Sequence, residues 1–331
     1  MIISSAPLRL SYLGGGTDYE LYSKEYGGKV IGSTINKKVY VFINELSPIA
    51  EENIRFTYRR IESVAKSSEL IHPVAREVLQ RLAPNERLNI ATFADLPGQT
   101  GLGSSSAFTV ALINGIQSFL EKKVLSNNEL AEFAVNVERN ILNEIGGVQD
   151  QFHTTFGNLR SYEFVGSKAV ISQPFYSDIL LEELSSYHFL LYVGAERNSS
   201  RYAEQTKQNI LDKESVRYFH EMKLLAEEGI LKLPKLNSAK AIIQNLSSLI
   251  NESWSIKKHF GKDISNNIVE SKINLGLSSG ASAAKLCGAG SSGFILFLVP
   301  ETNREEFKLM FKNEALIQVS LNPQGATTLQ N

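Results

Sequence analysis

Cys287 is the only cysteine among 331 residues, so no intramolecular disulfide holds this chain together, a usage that fits a reducing compartment. There is no basic excess: 34 Lys and Arg face 35 Asp and Glu, a formal charge of −1. That balance excludes broad nucleic-acid binding, which draws on a basic surface. Long apolar runs are missing too, and the longest, Phe294–Val299, falls far short of a bilayer span. The stretch Met1-Ile-Ile-Ser-Ser-Ala-Pro7 lacks the basic and long apolar regions of a signal peptide. The expectation is a soluble cytoplasmic protein without membrane or nucleic-acid partners. One catalytic signature is absent as well: no Gly-Lys-Ser/Thr occurs, which removes a Walker A loop. His72, His153, His188, His220 and His259 are scattered without ligand spacing, so a structural zinc site is not expected.

What is present is an ordinary globular composition, 43% apolar and 21% charged, in a chain long enough for two domains. Its most informative stretch is Pro97-Gly-Gln-Thr-Gly-Leu-Gly-Ser-Ser-Ser-Ala107. Gly98, Gly101 and Gly103 allow a tight turn and close backbone approach to a ligand. Ser104, Ser105 and Ser106 then open an apolar helical run from Ala107 to Leu120. Unpaired N–H groups and the positive end of a helix dipole would converge on this loop, an arrangement suited to polyphosphate.

Strands are expected at Val30–Glu45, read as two, and at 53–58, 88–93, 159–164, 169–174, 187–193 and 293–299. A short helix is expected over 72–82. Ser126-Asn-Asn-Glu129 is a capping box opening a helix that runs to Gly146-Gly147, and a further helix carries Val148, Phe152 and Phe156. Residues 200–260 read as helical with breaks near Gly229 and Pro234, and 304–313 as a last helix. Strands first and helices later imply α+β packing, with domains at 1–180 and 181–331.

Three further clusters carry chemistry. In Arg9-Leu-Ser-Tyr-Leu-Gly-Gly-Gly-Thr-Asp18, the glycines would turn the chain and bring Asp18, with Gly15, Gly16 and Thr17, to a small ligand; a β-turn with a solvated Asp is the plainer alternative. Lys285-Leu-Cys-Gly-Ala-Gly-Ser-Ser-Gly293 matches G-x-G-x-x-G formally, but a strand follows it where the dinucleotide fingerprint needs a helix. A glycine hairpin closing over the site, through Gly288, Gly290 and Ser291, fits better. Glu138 borders a buried helix face and Asp150 follows the Gly146-Gly147 break.

Taken in order, these clusters resemble the signature motifs of the GHMP kinases, and 97–107 matches that family's Pro-x-x-x-Gly-Leu-Gly-Ser-Ser-x-Ala loop almost letter for letter. The resemblance runs from Arg9 to Val299. Residues 6–19 look most like the sugar-1-kinase branch containing heptose 7-phosphate kinases and fucokinases, while Gly-Gly-Gly-Thr-Asp departs from the galactokinase Gly-Glu-His-Thr-Asp. The resemblance implies an N-terminal domain like ribosomal protein S5 domain 2 and a ferredoxin-like C-terminal domain. It implies ATP bound by Pro97, Gly98, Gly101, Leu102, Gly103, Ser104, Ser105 and Ser106, and Mg²⁺ held by Ser105 and Glu138. Asp150 would be the base taking the acceptor's proton, Arg9 its basic neighbour, and Asp18 an acceptor for sugar hydroxyls. The activity implied is phosphorylation of an anomeric hydroxyl, best fitted by D-glycero-D-manno-heptose 7-phosphate. Fucose, another hexose, a small alcohol such as homoserine, or a non-catalytic nucleotide- or sugar-binding regulator are the alternatives. A sugar phosphate needs a second anion site, for which Arg197 is the candidate. A homodimer is left open.

Overall fold

A computed structural model describes residues 1–121, 125–166, 168–194 and 199–330. In chain order the elements are β1 (Ile2–Leu13), α1 (Glu20–Tyr26), β2 (Gly28–Glu45), β3 (Ile54–Thr57), β4 (Ile61–Val64), α2 (Pro73–Leu82), β5 (Leu88–Ala94), α3 (Ser104–Phe119), α4 (Asn127–Val135), α5 (Gln149–Phe156), β6 (Leu159–Val165) and β7 (Lys168–Ile171). There follow α6 (Asp178–Ser185), β8 (His188–Tyr192), α7 (Ser199–Leu211), α8 (Val216–Lys232), α9 (Ala239–Lys257), α10 (Asn267–Ser278), β9 (Ala283–Leu286), β10 (Phe294–Leu298), α11 (Arg304–Met310), β11 (Leu316–Gln318) and β12 (Thr327–Gln330).

The strands form two sheets. An eight-stranded sheet has the order β12-β1-β2-β5-β3-β4, with β6 pairing β2 and β7 pairing β6. A four-stranded sheet has the order β11-β8-β10-β9. Sheet membership changes between Ile171 and His188, but β12 returns to pair antiparallel with β1, Ile2 opposite Gln330. One apolar core crosses between the sheets, joining Leu8, Leu10, Val110 and Ile113 to Leu190, Leu225, Ile242 and Leu296. Among the described residues no helix is long and apolar enough to cross a membrane.

Several local expectations are corrected. Val30–Glu45 is one strand of 18 residues from Gly28, not two. Its first part pairs with β6 and its second with β5, and the polar Asn36-Lys37-Lys38 lies at the handover between partners. The helix opened by the Ser126 box is α-helical only to Val135, then widens into a π-helical segment, Asn136–Ile141. Gly229 does not break α8. A Cβ there would come within 2.7 Å of Leu13 Cδ1 and Ile31 Cδ1, so this glycine serves close packing rather than termination.

α3 explains how the loop is placed. Its apolar residues are buried from Ala107 to Ile116, and it lies across β1 and β2. Gly115 permits that approach, since a Cβ would come within 2.9 Å of Ser4 Cβ. With the helix seated on the sheet, its N-terminus lies beside Arg9 of β1.

Candidate active site

A cleft of about 560 Å³ lies where the two glycine turns, α3, α5 and α9 converge. Arg9, Gly15, Gly16, Asp18, Ser105, Asp150 and Gly288 all line it. Arg9 grips Asp150 as a fork: Nε donates to Oδ1 at 2.8 Å and Nη2 to Oδ2 at 2.9 Å. Nη1 donates to the Gly101 carbonyl at 2.6 Å, and the Arg9 backbone N–H to Leu102 O at 2.9 Å. One side chain therefore ties the acidic residue to the glycine loop. The two-point geometry fixes the carboxylate's orientation as well as its charge.

The loop ends with Gly103 in the left-handed region, at φ +75°, as the N-cap of α3. No side chain caps this end, so the first N–H groups of a 16-residue helix stay available to a ligand. A Cβ on Gly103 would come within 3.3 Å of Asp150 Oδ2, which sets that carboxylate directly against the loop. Gly101, at φ +82°, lies back to back with the third glycine cluster, and a Cβ on it would come within 2.5 Å of Cys287 O. That cluster is the hairpin expected between β9 and β10.

Glu138 sits on the π-helical segment and is 1% exposed. Its Oε2 accepts from Ser106 Oγ at 2.9 Å and Gln151 Nε2 at 2.6 Å, while Oε1 has no partner. Burial raises its pKa, against the pull of Arg139. The hydroxyl bonded to Glu138 is thus Ser106, whereas Ser105, expected to share a metal with it, is exposed on the cleft wall. The donor set nonetheless suits Mg²⁺: hydroxyls and a carboxylate with one unused oxygen beside the glycine turn. Among the described residues no cluster of three His, Cys, Asp or Glu could hold a metal alone, so phosphate oxygens and water would complete the shell.

Asp18 is buried, and its oxygens are engaged: Oδ1 accepts from Gly16 N and Oδ2 from Gln149 N, each at 3.0 Å. It ties the first turn to the start of α5. A Cβ on Gly147 would sit 1.9 Å from its Oδ2, which is why the break before α5 needs glycine. Burial raises the pKa of Asp18.

Other expected residues are placed elsewhere. The Thr17 hydroxyl donates to Gly14 O at 2.8 Å and Lys29 O at 3.0 Å, an inward, turn-building position. Gly290 and Ser291 pack on Ile264, whose carbonyl accepts from Ser291 N at 2.8 Å. Pro97 O accepts from the Thr100 hydroxyl, and Leu102 is buried in the core. Ser104 opens α3, and a Cβ on Gly98 would lie 3.8 Å from its Oγ. Arg197 lies outside the described residues.

Residues not anticipated from sequence also line the cleft: Gln99, Arg139, Gln149, Ser253, Lys257 and Lys285. Arg139 clamps the Gly147 carbonyl through Nε at 3.1 Å and Nη2 at 2.9 Å. The side-chain oxygen of Gln149 is buried without a partner, a free acceptor for a ligand hydroxyl. His153, one turn after Asp150, is buried with both ring nitrogens unbonded, and desolvation pushes its pKa down to about 3. It is neutral and adds no positive charge beside Asp150.

Three comparisons bear on this arrangement. Residues 69–158, which span α2 to α5, match the family model described as GHMP kinases N terminal domain. The chain is 27% identical to the D-glycero-alpha-D-manno-heptose 7-phosphate kinase of Campylobacter jejuni, over 96% of this chain and 95% of that one. It is 23% identical to the bifunctional fucokinase/GDP-fucose pyrophosphorylase of Arabidopsis thaliana, over 90% of this chain but only 30% of that longer protein. Its fold is similar to that of a D-glycero-D-manno-heptose 1-phosphate kinase from Bacteroides thetaiotaomicron, with TM-score 0.78, 24% identity and coverage of 100% and 99%. The glycine loop, α3 and Asp150 all fall inside the matched segment, and the chain carries a GHMP kinase N-terminal domain.

Proposed function

We propose that this protein is an ATP-dependent sugar kinase that phosphorylates the anomeric hydroxyl of a heptose 7-phosphate, giving the 1,7-bisphosphate and ADP. The observation that carries the reading is the Arg9–Asp150 fork held against Gly101 and Gly103 at the open end of α3. Phosphoryl transfer asks mainly for positioning and charge stabilisation, and this corner offers both. N–H groups from Gly103 to Ser106 hold the nucleotide's phosphates. Asp150 accepts the C1 hydroxyl proton as the new O–P bond forms and the bond to ADP oxygen breaks. Arg9 keeps that carboxylate aimed while its charge faces the transferred group. Asp18 and Gln149 orient sugar hydroxyls. Glu138 with Ser105 and Ser106 would hold Mg²⁺, which supplies charge neutralisation on the phosphates.

The name of the Campylobacter jejuni relative specifies a heptose 7-phosphate, which supports a sugar phosphate acceptor. The fucokinase similarity is weaker and keeps a neutral sugar as the second reading. A division at residues 1–180 and 181–331, with β12 rejoining the first part, and a cytoplasmic location go with this proposal.

The test is ATP-to-ADP turnover with Mg²⁺ on D-glycero-D-manno-heptose 7-phosphate, unphosphorylated heptose, fucose, galactose, mannose and homoserine. Turnover on a sugar supports the kinase and identifies its acceptor. ATP binding without turnover on any compound would overturn it in favour of a nucleotide-binding regulator.

A further inference from the structure

Two lysines on the cleft wall have no part in the chemistry described so far. Lys285, on β9, is 4% exposed, and its Nζ donates to Tyr12 O at 2.7 Å and Ser253 Oγ at 3.3 Å. Lys257, at the end of α9, donates through Nζ to Leu286 O at 3.2 Å and Gly288 O at 2.5 Å. An ammonium carries three donors, so each retains one after these contacts. Among the described residues neither lysine takes part in an ion pair, although sixteen such pairs occur elsewhere. The charges that act on them are Arg9 and, for Lys285, Lys257, with the Cys287 thiol beside both. Burial and these like charges press both ammonium groups toward the neutral form.

Burying a cation without an anion is expensive, and here Lys285 is buried so, with Lys257 half-buried beside it in the cleft. Position says which anion is missing. Tyr12, whose carbonyl holds Lys285, stands three residues beyond Arg9 on β1, about 10 Å along an extended strand. It stands on the side of the Gly14–Asp18 turn, away from the open end of α3. The phosphates of a nucleotide have α3 and Arg9; Lys257, bonded to Gly288 beside the Gly101 turn, and Lys285, bonded to Tyr12, carry positive charge from that corner along the side of the cleft that holds the Gly14–Asp18 turn.

We propose that Lys285 and Lys257 form an anion subsite that grips the phosphomonoester carried by the acceptor, so that the enzyme selects a sugar phosphate over the free sugar. This rests on the kinase reading and refines it. The experiment compares heptose 7-phosphate with unphosphorylated heptose, by turnover and by calorimetric binding to nucleotide-free protein, in wild type, Lys285→Met and Lys257→Met. Losing a charge-assisted contact should weaken the phosphosugar roughly ten- to hundred-fold. Affinity for free heptose and for a non-hydrolysable ATP analogue should change less than threefold. Equal weakening of both sugars overturns the subsite, and selective weakening of the ATP analogue reassigns the lysines to the nucleotide. Wild type alone is decisive if the variants fail to fold: free heptose binding as tightly as its 7-phosphate refutes the proposal. Absence of turnover on any sugar would sink the kinase reading, while the calorimetric comparison would still decide the subsite.

Discussion

Two walls of one cleft carry positive charge in opposite ways. On β1, Arg9 spends its guanidinium on Asp150 and on a loop carbonyl, so its charge is matched within the protein and its geometry is fixed at three points. On α9 and β9, Lys257 and Lys285 meet carbonyl and hydroxyl oxygens, none carrying a full negative charge. The first arrangement is complete before any ligand arrives and suits a group that must be aimed. The second is left electrostatically open and suits a group that must be attracted. An internal ion pair gives orientation; an unmatched cation gives affinity.

The sharpest way to break the contrast is Asp150→Asn, which leaves Arg9 without its anion and the acceptor without a base. Turnover should fall about 10²- to 10⁴-fold while binding of a non-hydrolysable ATP analogue persists; activity within threefold of wild type would remove Asp150 from that role. Next comes Gly101→Ala, which attacks the seam between the walls. Its φ of +82° disfavours any side chain, and the added methyl would meet the Cys287 carbonyl. A loss of more than about 1 kcal/mol in denaturant unfolding is expected, and an unchanged midpoint would mean the loops can part without harm.

The lysine wall is probed by pH. Lys285 has its pKa lowered to about 7 and Lys257 to about 8, by burial first. Between these values and the ordinary lysine range the unfolded chain binds more protons than the folded one, so stability rises as pH rises. From pH 7 to 8.5 the free protein's unfolding midpoint should increase, by at most about 1.4 kcal/mol per pH unit for one group. Lys285→Met should flatten that slope, and an unaltered slope would show that Lys285 does not titrate there. The smallest effect separates two neighbouring hydroxyls. Ser106→Ala removes a buried bond to Glu138 and should lower stability by about 1 kcal/mol, while the exposed Ser105→Ala should stay within about 0.5 kcal/mol. Equal losses would mean both hydroxyls are structural.

The first wall was far more legible in the sequence than the second, for local reasons. Glycine spacing followed by serines and an apolar run states a loop and a helix within twenty residues, and α3 begins where that pattern says. Arg9 and Asp150 were each visible as polar residues in apolar or glycine-rich settings, though their 141-residue separation hides the contact. Lys257 is a basic residue in the last turn of a helix, which ordinarily means a solvated residue matching the dipole. Lys285 lies in Ala-Ala-Lys-Leu, a four-residue strand without β-branched or aromatic residues to announce it. The usable signal was a lysine between Ala284 and Leu286, flanked by apolar positions and followed by the glycine hairpin. Thr17, Gly290 and Ser291 were drawn toward the ligand by adjacency to glycine, but neighbours in sequence diverge at a turn, and theirs face Gly14, Lys29 and Ile264.

β12 adds a dimension of time. The strand that carries Arg9 is flanked on its outer edge by residues 327–330, and the Ser5 and Thr327 hydroxyls meet at 3.1 Å across 322 positions of sequence. Long-range closures of this kind come late and slowly in folding. During synthesis Asp150, α3 and the glycine loop emerge well before the strand that covers the start of β1. Until it docks, the start of β1 offers an open edge to any passing strand, so this rim of the sheet, at Ile2–Ser5, should be late to close and exposed to misassembly.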